Sequence, residues 1–167
     1  MDTKLFNAIL SMDSYNRGYN PTIKFGNLGN GESITIGEKV GWATITTDSR
    51  ILKDAGGNRL DQAASFYALA YEMPNDAKWG GRTIIAYRGT DAGGDAAAYP
   101  IATGSTGTTQ GRMAFEFYNA VATAQNGYIS IDPRLANISL TGHSLGGGLA
   151  GYVGADDNYC TIKSQAA

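Results

Sequence analysis

The sequence is poor in the residues that form disulfides, metal sites and proton relays. Its 167 residues include one cysteine, Cys160, and one histidine, His143. A single cysteine excludes an internal disulfide and a zinc site built from several cysteines. Because thiol reactivity requires a charged neighbourhood, we interpret Cys160, which lies near the end of the sequence, as incidental. These residues predict no metal site.

Charge and long apolar runs are also scarce. Charged residues make up 17% of the chain and the formal net charge is −2, so neither nucleic acid nor an anionic membrane is expected as a partner. No apolar run approaches the roughly 18 residues of a membrane span, which predicts no transmembrane segment. The residues Met1–Phe6 lack a basic stretch followed by an apolar one. We therefore expect no N-terminal signal peptide.

Length and composition favour one folded domain. Hydrophobic residues make up 43% of the chain, as is typical of globular proteins. We predict a single domain over 1–167, with an N-terminal helix and short β segments over 1–60 and a motif-bearing core over 61–154. Residues 155–167 form an atypical tail, because the apolar periodicity of the preceding segment stops there.

The first part of the chain predicts a helix and then short strands between turns. The helix over 3–13 follows from apolar residues at near-helical spacing: Leu5, Phe6, Ile9, Leu10 and Met12. Strands are predicted at Ile34–Ile36 and Ala43–Thr47. The clusters Asn27–Glu32 and Asp54–Asn58 contain possible calcium ligands, but neither matches the roughly twelve-residue calcium loop with its terminal glutamate. We interpret both as turns.

The core predicts a hairpin followed by strand, helix and strand. Two strands, Ala64–Met73 and Arg82–Tyr87, are joined by the turn-rich segment 74–81, and the second is expected to be central in its sheet. A loop over 91–111 precedes a helix at about 112–125, whose apolar face is formed by Met113, Phe117, Val121 and Ala124. A strand at Ile138–Leu140 leads into a glycine turn and a last helix. This order is typical of an α/β fold with a mixed, partly parallel sheet.

The residues Gly142–Gly146, which we call the elbow, match the pattern G-x-S-x-G. A serine hydroxyl is a weak nucleophile, so it must stand clear of the sheet where a base reaches it. A sharp turn from strand to helix achieves this, but it requires strained backbone and leaves no room for side chains two residues away on either side. The pattern therefore makes Ser144 a candidate nucleophile. A structural turn without catalysis is the alternative.

A dinucleotide fingerprint overlaps the elbow. Gly146–Gly151 satisfies G-x-G-x-x-G, which also requires an acidic residue about twenty positions further on, after a second strand. Asp156 and Asp157 come too early and no strand precedes them. We therefore expect no nucleotide and no other cofactor.

A second motif, Tyr87–Thr90, ends the predicted central strand, and together with Thr141–Gly147 it makes the sequence resemble the class 3 lipase family over about residues 60–153. That family includes fungal triacylglycerol lipases and bacterial lipases and phospholipases A1. The resemblance implies an α/β-hydrolase fold and hydrolysis of lipid or other acyl esters. It also implies that Thr90 and the backbone amide of Leu145 stabilise the oxyanion.

The segment after the second motif is the lid in that family. The resemblance places a lid at 91–111, for which a surface loop is the alternative. Arg88 has two interpretations, an ion pair that holds this loop or a site for an anionic group, and we favour the ion pair.

The sequence has no histidine after Ser144 to complete a triad, which in this fold runs serine, acid, histidine along the chain. His143 is the immediate neighbour of Ser144 and points to the other side of the turn, so it is expected to pack beside the strand end. The α/β-hydrolase fold is therefore predicted to be incomplete, with Asp and His supplied by a missing C-terminal segment or a second chain. A non-catalytic module that binds lipid or a partner protein is the alternative. Location stays open between the cytoplasm and export without a signal peptide.

Overall fold

A computed structural model of the chain describes residues 2–16, 36–89, 108–126 and 136–155. These residues form four helices and five strands, which we number in chain order. The helices are α1 (Thr3–Asn16), α2 (Leu60–Ala63), α3 (Thr109–Asn126) and α4 (Leu145–Ala155). The strands are β1 (Lys39–Val40), β2 (Ala43–Asp48), β3 (Ala68–Glu72), β4 (Thr83–Tyr87) and β5 (Ile138–Gly142).

The five strands form one mixed sheet in the order β1-β2-β3-β4-β5. The pairs β1–β2, β2–β3 and β3–β4 are antiparallel, whereas β4 and β5 are parallel. Strand β4 lies between β3 and β5, and all five of its residues are buried. The predicted α/β class, the mixed sheet and the central position of this strand are therefore confirmed.

The register gives the sheet two distinct ends. At one end Asp48, Leu69, Ala86 and the last residues of β4 and β5 lie side by side, with Tyr87 paired to Gly142. We call this the elbow end, because the elbow follows β5 there. At the other end, which we call the opposite end, Thr44, Glu72, Thr83 and Ile138 lie in one row.

Helices cover both faces of the sheet, because alternate strand residues point to opposite sides. Phe6 and Leu10 of α1 pack on one face against alternate residues of the strands, among them Ile45, Tyr71 and Ile84. Helices α3 and α4 pack on the other face, where Phe117 and Leu149 meet Ile85 and Tyr87. Burial of these apolar side chains is the main force that holds the layers together.

Several predicted boundaries are wrong. Helix α1 continues beyond residue 13 to Asn16, because the Ser14 hydroxyl bonds the carbonyl of Ser11 within the helix and Tyr15 is buried. Ile36 lies in a turn, and the remainder of the predicted strand at 34–36 lies outside the described residues. The edge strand Lys39–Val40 is absent from the prediction, since a strand of two residues carries almost no pattern.

The hairpin is shorter than predicted and α3 is longer. Strand β3 begins at Ala68 rather than at residue 64, since helix α2 and the left-handed Ser65 (φ 51°) turn the chain before it. Helix α3 begins at Thr109, inside the predicted loop, where the Thr108 hydroxyl accepts the Gly111 amide and caps the helix. Ala124 is exposed, so it does not belong to the buried face of α3.

The glycine-rich segment at Asp54–Asn58 forms a turn, as predicted. Asp54 accepts hydrogen bonds from the amides of Gly56 and Asn58 and from the Asn58 side chain. These bonds, the Asn58 side chain foremost, lower the pKa of Asp54. The carboxylate is thus engaged within its own loop. The cluster at 27–32 lies outside the described residues.

Candidate active site

Ser144 lies at the carboxyl end of β5, where the chain turns directly into α4. The strand ends at Gly142, the helix begins at Leu145, and two residues join them. Ser144 has φ 56°, in the left-handed region that costs a residue with a side chain roughly 1–2 kcal/mol. Its side chain is exposed. This strained turn presents the serine above the end of the sheet, as the elbow pattern requires.

The glycines of the elbow are required by close backbone contacts. A Cβ on Gly142 would overlap the backbone of Gly146. A Cβ on Gly146 would overlap the carbonyl oxygen of Tyr87 and lie 2.9 Å from the carbonyl carbon of Arg88. Helix α4 therefore starts directly against the end of β4. The predicted lack of space on both sides of the serine is confirmed.

The end of β4 lies beside the serine because β4 and β5 are parallel neighbours. A Cβ built on Gly89 would lie 3.3 Å from the Ser144 Cβ and would overlap the carbonyl oxygen of His143. The chain leaving β4 thus passes next to the nucleophile. Thr90, the predicted oxyanion residue, is the next residue and lies outside the described residues, as does most of the predicted lid.

The amide of Leu145 lies at the start of α4, directly after Ser144. The amides of Gly146, Gly147 and Gly148 donate to the carbonyls of His143 and Ser144. The Leu145 amide donates to no acceptor in the part of the chain that the structure describes. It is the first residue of α4, so the partial positive charge of the helix N-terminus lies at the same point. Leu145 itself is buried through its side chain.

His143 faces α1 and contacts Tyr15. Its Nδ1 lies 3.3 Å from the Tyr15 hydroxyl, and that hydroxyl also donates to the His143 carbonyl at 3.3 Å. The two rings meet edge to face, with centroids 6.0 Å apart. Within the described residues no hydrogen bond joins His143 to the Ser144 hydroxyl. The imidazole is exposed, so the predicted packing beside the strand end takes the form of a contact with one tyrosine.

The contact between α1 and the elbow was missed in the sequence analysis. Ser11 and Thr141 share a hydrogen bond of 2.9 Å between their hydroxyls, and Tyr15 bonds His143 two residues further on. These pairs are separated by more than a hundred residues in the chain, so no local pattern indicates them. The signal that the sequence offers for this contact is the type of residue in α1. Ser11, Asp13 and Ser14 are polar residues in the second half of α1, and all three are buried.

Arg88 lies inside the elbow end, in the motif that follows β4. Its residue is 3% exposed and its guanidinium carbon lies 5.3 Å from the centre of the Tyr67 ring. This stacking is a cation–π contact. Asp156 and Asp157, the acidic residues that follow Gly151, lie outside the described residues.

The described residues contain neither a membrane span nor a metal-binding cluster. No helix among the described residues has the length and apolar character to cross a membrane. Within the same residues, no group of three or more His, Cys, Asp or Glu side chains is placed to hold a metal ion.

The chain matches no family model, no curated protein and no solved structure.

Proposed function

We propose that this chain is the nucleophile-bearing part of a serine ester hydrolase of the α/β-hydrolase type, acting on lipid or other acyl esters. The observation that carries the proposal is Ser144 at φ 56° between a parallel strand and a helix, exposed and flanked by two glycines that admit no side chain. The resemblance to class 3 lipases in Tyr87–Thr90 and Thr141–Gly147 supports the substrate class.

The Ser144 hydroxyl would attack the acyl carbon of the ester. The carbonyl oxygen then takes a full negative charge, which fixed N–H groups stabilise by about 10²–10³ in rate each. The ester C–O bond next breaks, the alcohol leaves with the proton from Ser144, and water hydrolyses the acyl-enzyme to release the acid. The Leu145 amide at the start of α4 is one such donor, and we propose Thr90 as the other. A strained turn suits this chemistry, because it holds the hydroxyl in a fixed position rather than letting it move with a flexible loop.

The proton of Ser144 requires a base, and the 167 residues contain no histidine after the elbow. We propose that an Asp and a His come from a further segment or a second polypeptide, which completes the triad. Losing the histidine in such an enzyme removes roughly a millionfold in turnover. The isolated chain is therefore expected to hydrolyse esters very slowly or not at all.

Hydrolysis of acyl esters by the complete native protein tests the proposal. We expect turnover of p-nitrophenyl esters in the wild type and a loss of about 10⁵–10⁶ in Ser144→Ala. Ser139→Ala, on the same strand, is the matched control and should keep wild-type turnover. Equal activity of the Ser144→Ala and wild-type proteins would reject Ser144 as the nucleophile.

A non-catalytic module is the second candidate. It is favoured by the position of His143, because the only histidine of the chain is hydrogen-bonded to Tyr15 rather than to Ser144. Such a module would bind acyl lipid or a partner protein without turnover. Ester hydrolysis by the complete protein would exclude it, whereas vesicle binding with no turnover in any native assembly would support it.

A further inference from the structure

We propose that Tyr15 is a positioning residue for Ser144: its hydroxyl, placed between Gly89 and the His143 carbonyl, fixes the distance between the end of β4 and the nucleophile. The proposal rests on the proposed function, because Ser144 is taken as the reacting group. Tyr15 does not touch the substrate in this account. It acts through the backbone of the two segments that meet beside the serine.

The hydroxyl of Tyr15 meets both segments at once. It lies 3.3 Å from the carbonyl oxygen of His143, the residue before the nucleophile. It also occupies the space into which a side chain at Gly89 would project, together with the His143 carbonyl and, at 3.3 Å, the Ser144 Cβ. A side chain at residue 89 would overlap this hydroxyl and the elbow, so the position requires a glycine.

Tyr15 is held firmly enough to fix that spacing. It is 5% exposed, one of the last residues of a helix whose Phe6 and Leu10 are buried in the core. One turn before it, Ser11 bonds Thr141 on β5 at 2.9 Å. Helix α1 thus contacts the nucleophile strand at two successive points, and the second is the elbow itself.

The two contacts of this hydroxyl also favour one tautomer of His143. A tyrosine hydroxyl has a single hydrogen, so it cannot donate to the His143 carbonyl and to Nδ1 together. Both contacts are satisfied when the hydroxyl donates to the carbonyl and His143 donates from Nδ1 to the hydroxyl oxygen. The neutral ring then carries its hydrogen on Nδ1 and keeps Nε2 as an acceptor.

The test uses Tyr15→Phe in the complete native protein. The rate at which a fluorophosphonate labels Ser144 is expected to fall about tenfold, because a small displacement of a nucleophile lowers its reactivity steeply. Tyr71→Phe is the matched control. It also removes a buried tyrosine hydroxyl that bonds α1, but it does so at Asp13 (2.7 Å) and at the Leu10 carbonyl (3.5 Å). Ser144 in the Tyr71→Phe protein should be labelled at the wild-type rate, even if its thermal stability falls by as much as that of the Tyr15→Phe protein.

A second measurement separates positioning from general stability. In ¹⁵N-histidine spectra assigned with a His143→Gln variant, the wild-type ring should show the Nδ1–H form, and Tyr15→Phe should shift it toward a mixture of tautomers. Equal labelling rates for Tyr15→Phe and wild type would overturn the proposal. So would equal losses in Tyr15→Phe and Tyr71→Phe. If the wild-type protein is not labelled at all, the proposed function fails, and the spectra alone decide whether Tyr15 holds the turn.

Discussion

At the elbow end of the sheet the chain is held by close backbone contacts and hydrogen bonds, whereas at the opposite end it is held by packed aromatic rings. The elbow end places Gly146 against the Tyr87 carbonyl and Tyr15 against His143. The opposite end packs Phe6 against Trp42 and Trp79, with ring centroids 5.3 and 5.6 Å apart. The Lys78 ammonium lies 4.9 Å from the centres of both tryptophan rings.

The two ends therefore differ in how well they tolerate substitutions. Apolar packing is non-directional, so a side chain lost from the aromatic cluster weakens the fold without moving particular atoms at the elbow. Backbone contacts have no such freedom, because no rotamer change relieves an added methyl group. The elbow end is therefore determined by the positions of backbone atoms. The opposite end is determined chiefly by the volume and apolar area of its side chains.

Gly146→Ala is expected to break the elbow end. The new methyl group would overlap the Tyr87 carbonyl, so β4 and α4 would have to separate. We expect the free energy of unfolding to fall by about 4 kcal/mol or more. Urea denaturation of the wild-type and Gly146→Ala proteins measures this free energy of unfolding.

Gly151→Ala is the matched control on the same helix. Gly151 has open space around its Cα, and alanine is the better helix former by about 1 kcal/mol. This variant should be slightly more stable than the wild type. Comparable destabilisation by both substitutions would show that the loss in Gly146→Ala does not come from its contact with Tyr87.

Trp79→Ala is expected to weaken the opposite end by about 3 kcal/mol, because a largely buried indole leaves a cavity. Trp79 is 6% exposed, whereas Trp42 is 44% exposed, so Trp42→Ala should cost far less, about 1 kcal/mol. Both variants should keep the wild-type rate of Ser144 labelling, measured below their melting temperatures. A slower rate in either would mean that the two ends are coupled.

Ser144→Gly is expected to relieve backbone strain at one residue of the elbow end. Glycine adopts φ 56° without steric cost, but its greater freedom in the unfolded chain offsets part of the gain. We expect Ser144→Gly to be about 1 kcal/mol more stable than Ser144→Ala, which lacks the same hydroxyl but keeps the strain. Equal thermal stability of the two would indicate that the turn stores no strain at Ser144.

The sequence allowed the α/β class, the hairpin and the strand–elbow–helix unit to be predicted, because each follows from local patterns. Apolar runs marked β4 and β5, and the glycines around Ser144 marked a turn whose backbone lies close to its neighbours. Boundaries were less accurate where short-range hydrogen bonds decide them, as at Ser14 in α1 and Thr108 before α3.

The contacts around the elbow that come from α1 could not be predicted. Tyr15 and His143 lie at opposite ends of the sequence, and their meeting depends on how α1 crosses β4 and β5. Nothing in the spacing of either residue indicates the other. The space filled beside Gly89 likewise becomes visible only when three separate segments are brought together.

Covalent labelling with a fluorophosphonate tests directly whether Ser144 is the nucleophile. The complete native protein is labelled, and the adduct is located by intact mass and peptide mapping. A strained and activated Ser144 predicts a single adduct on that residue in the wild type and none in Ser144→Ala. An adduct formed equally well in Ser144→Ala, or a wild-type protein that stays unlabelled with every native polypeptide present, would contradict it.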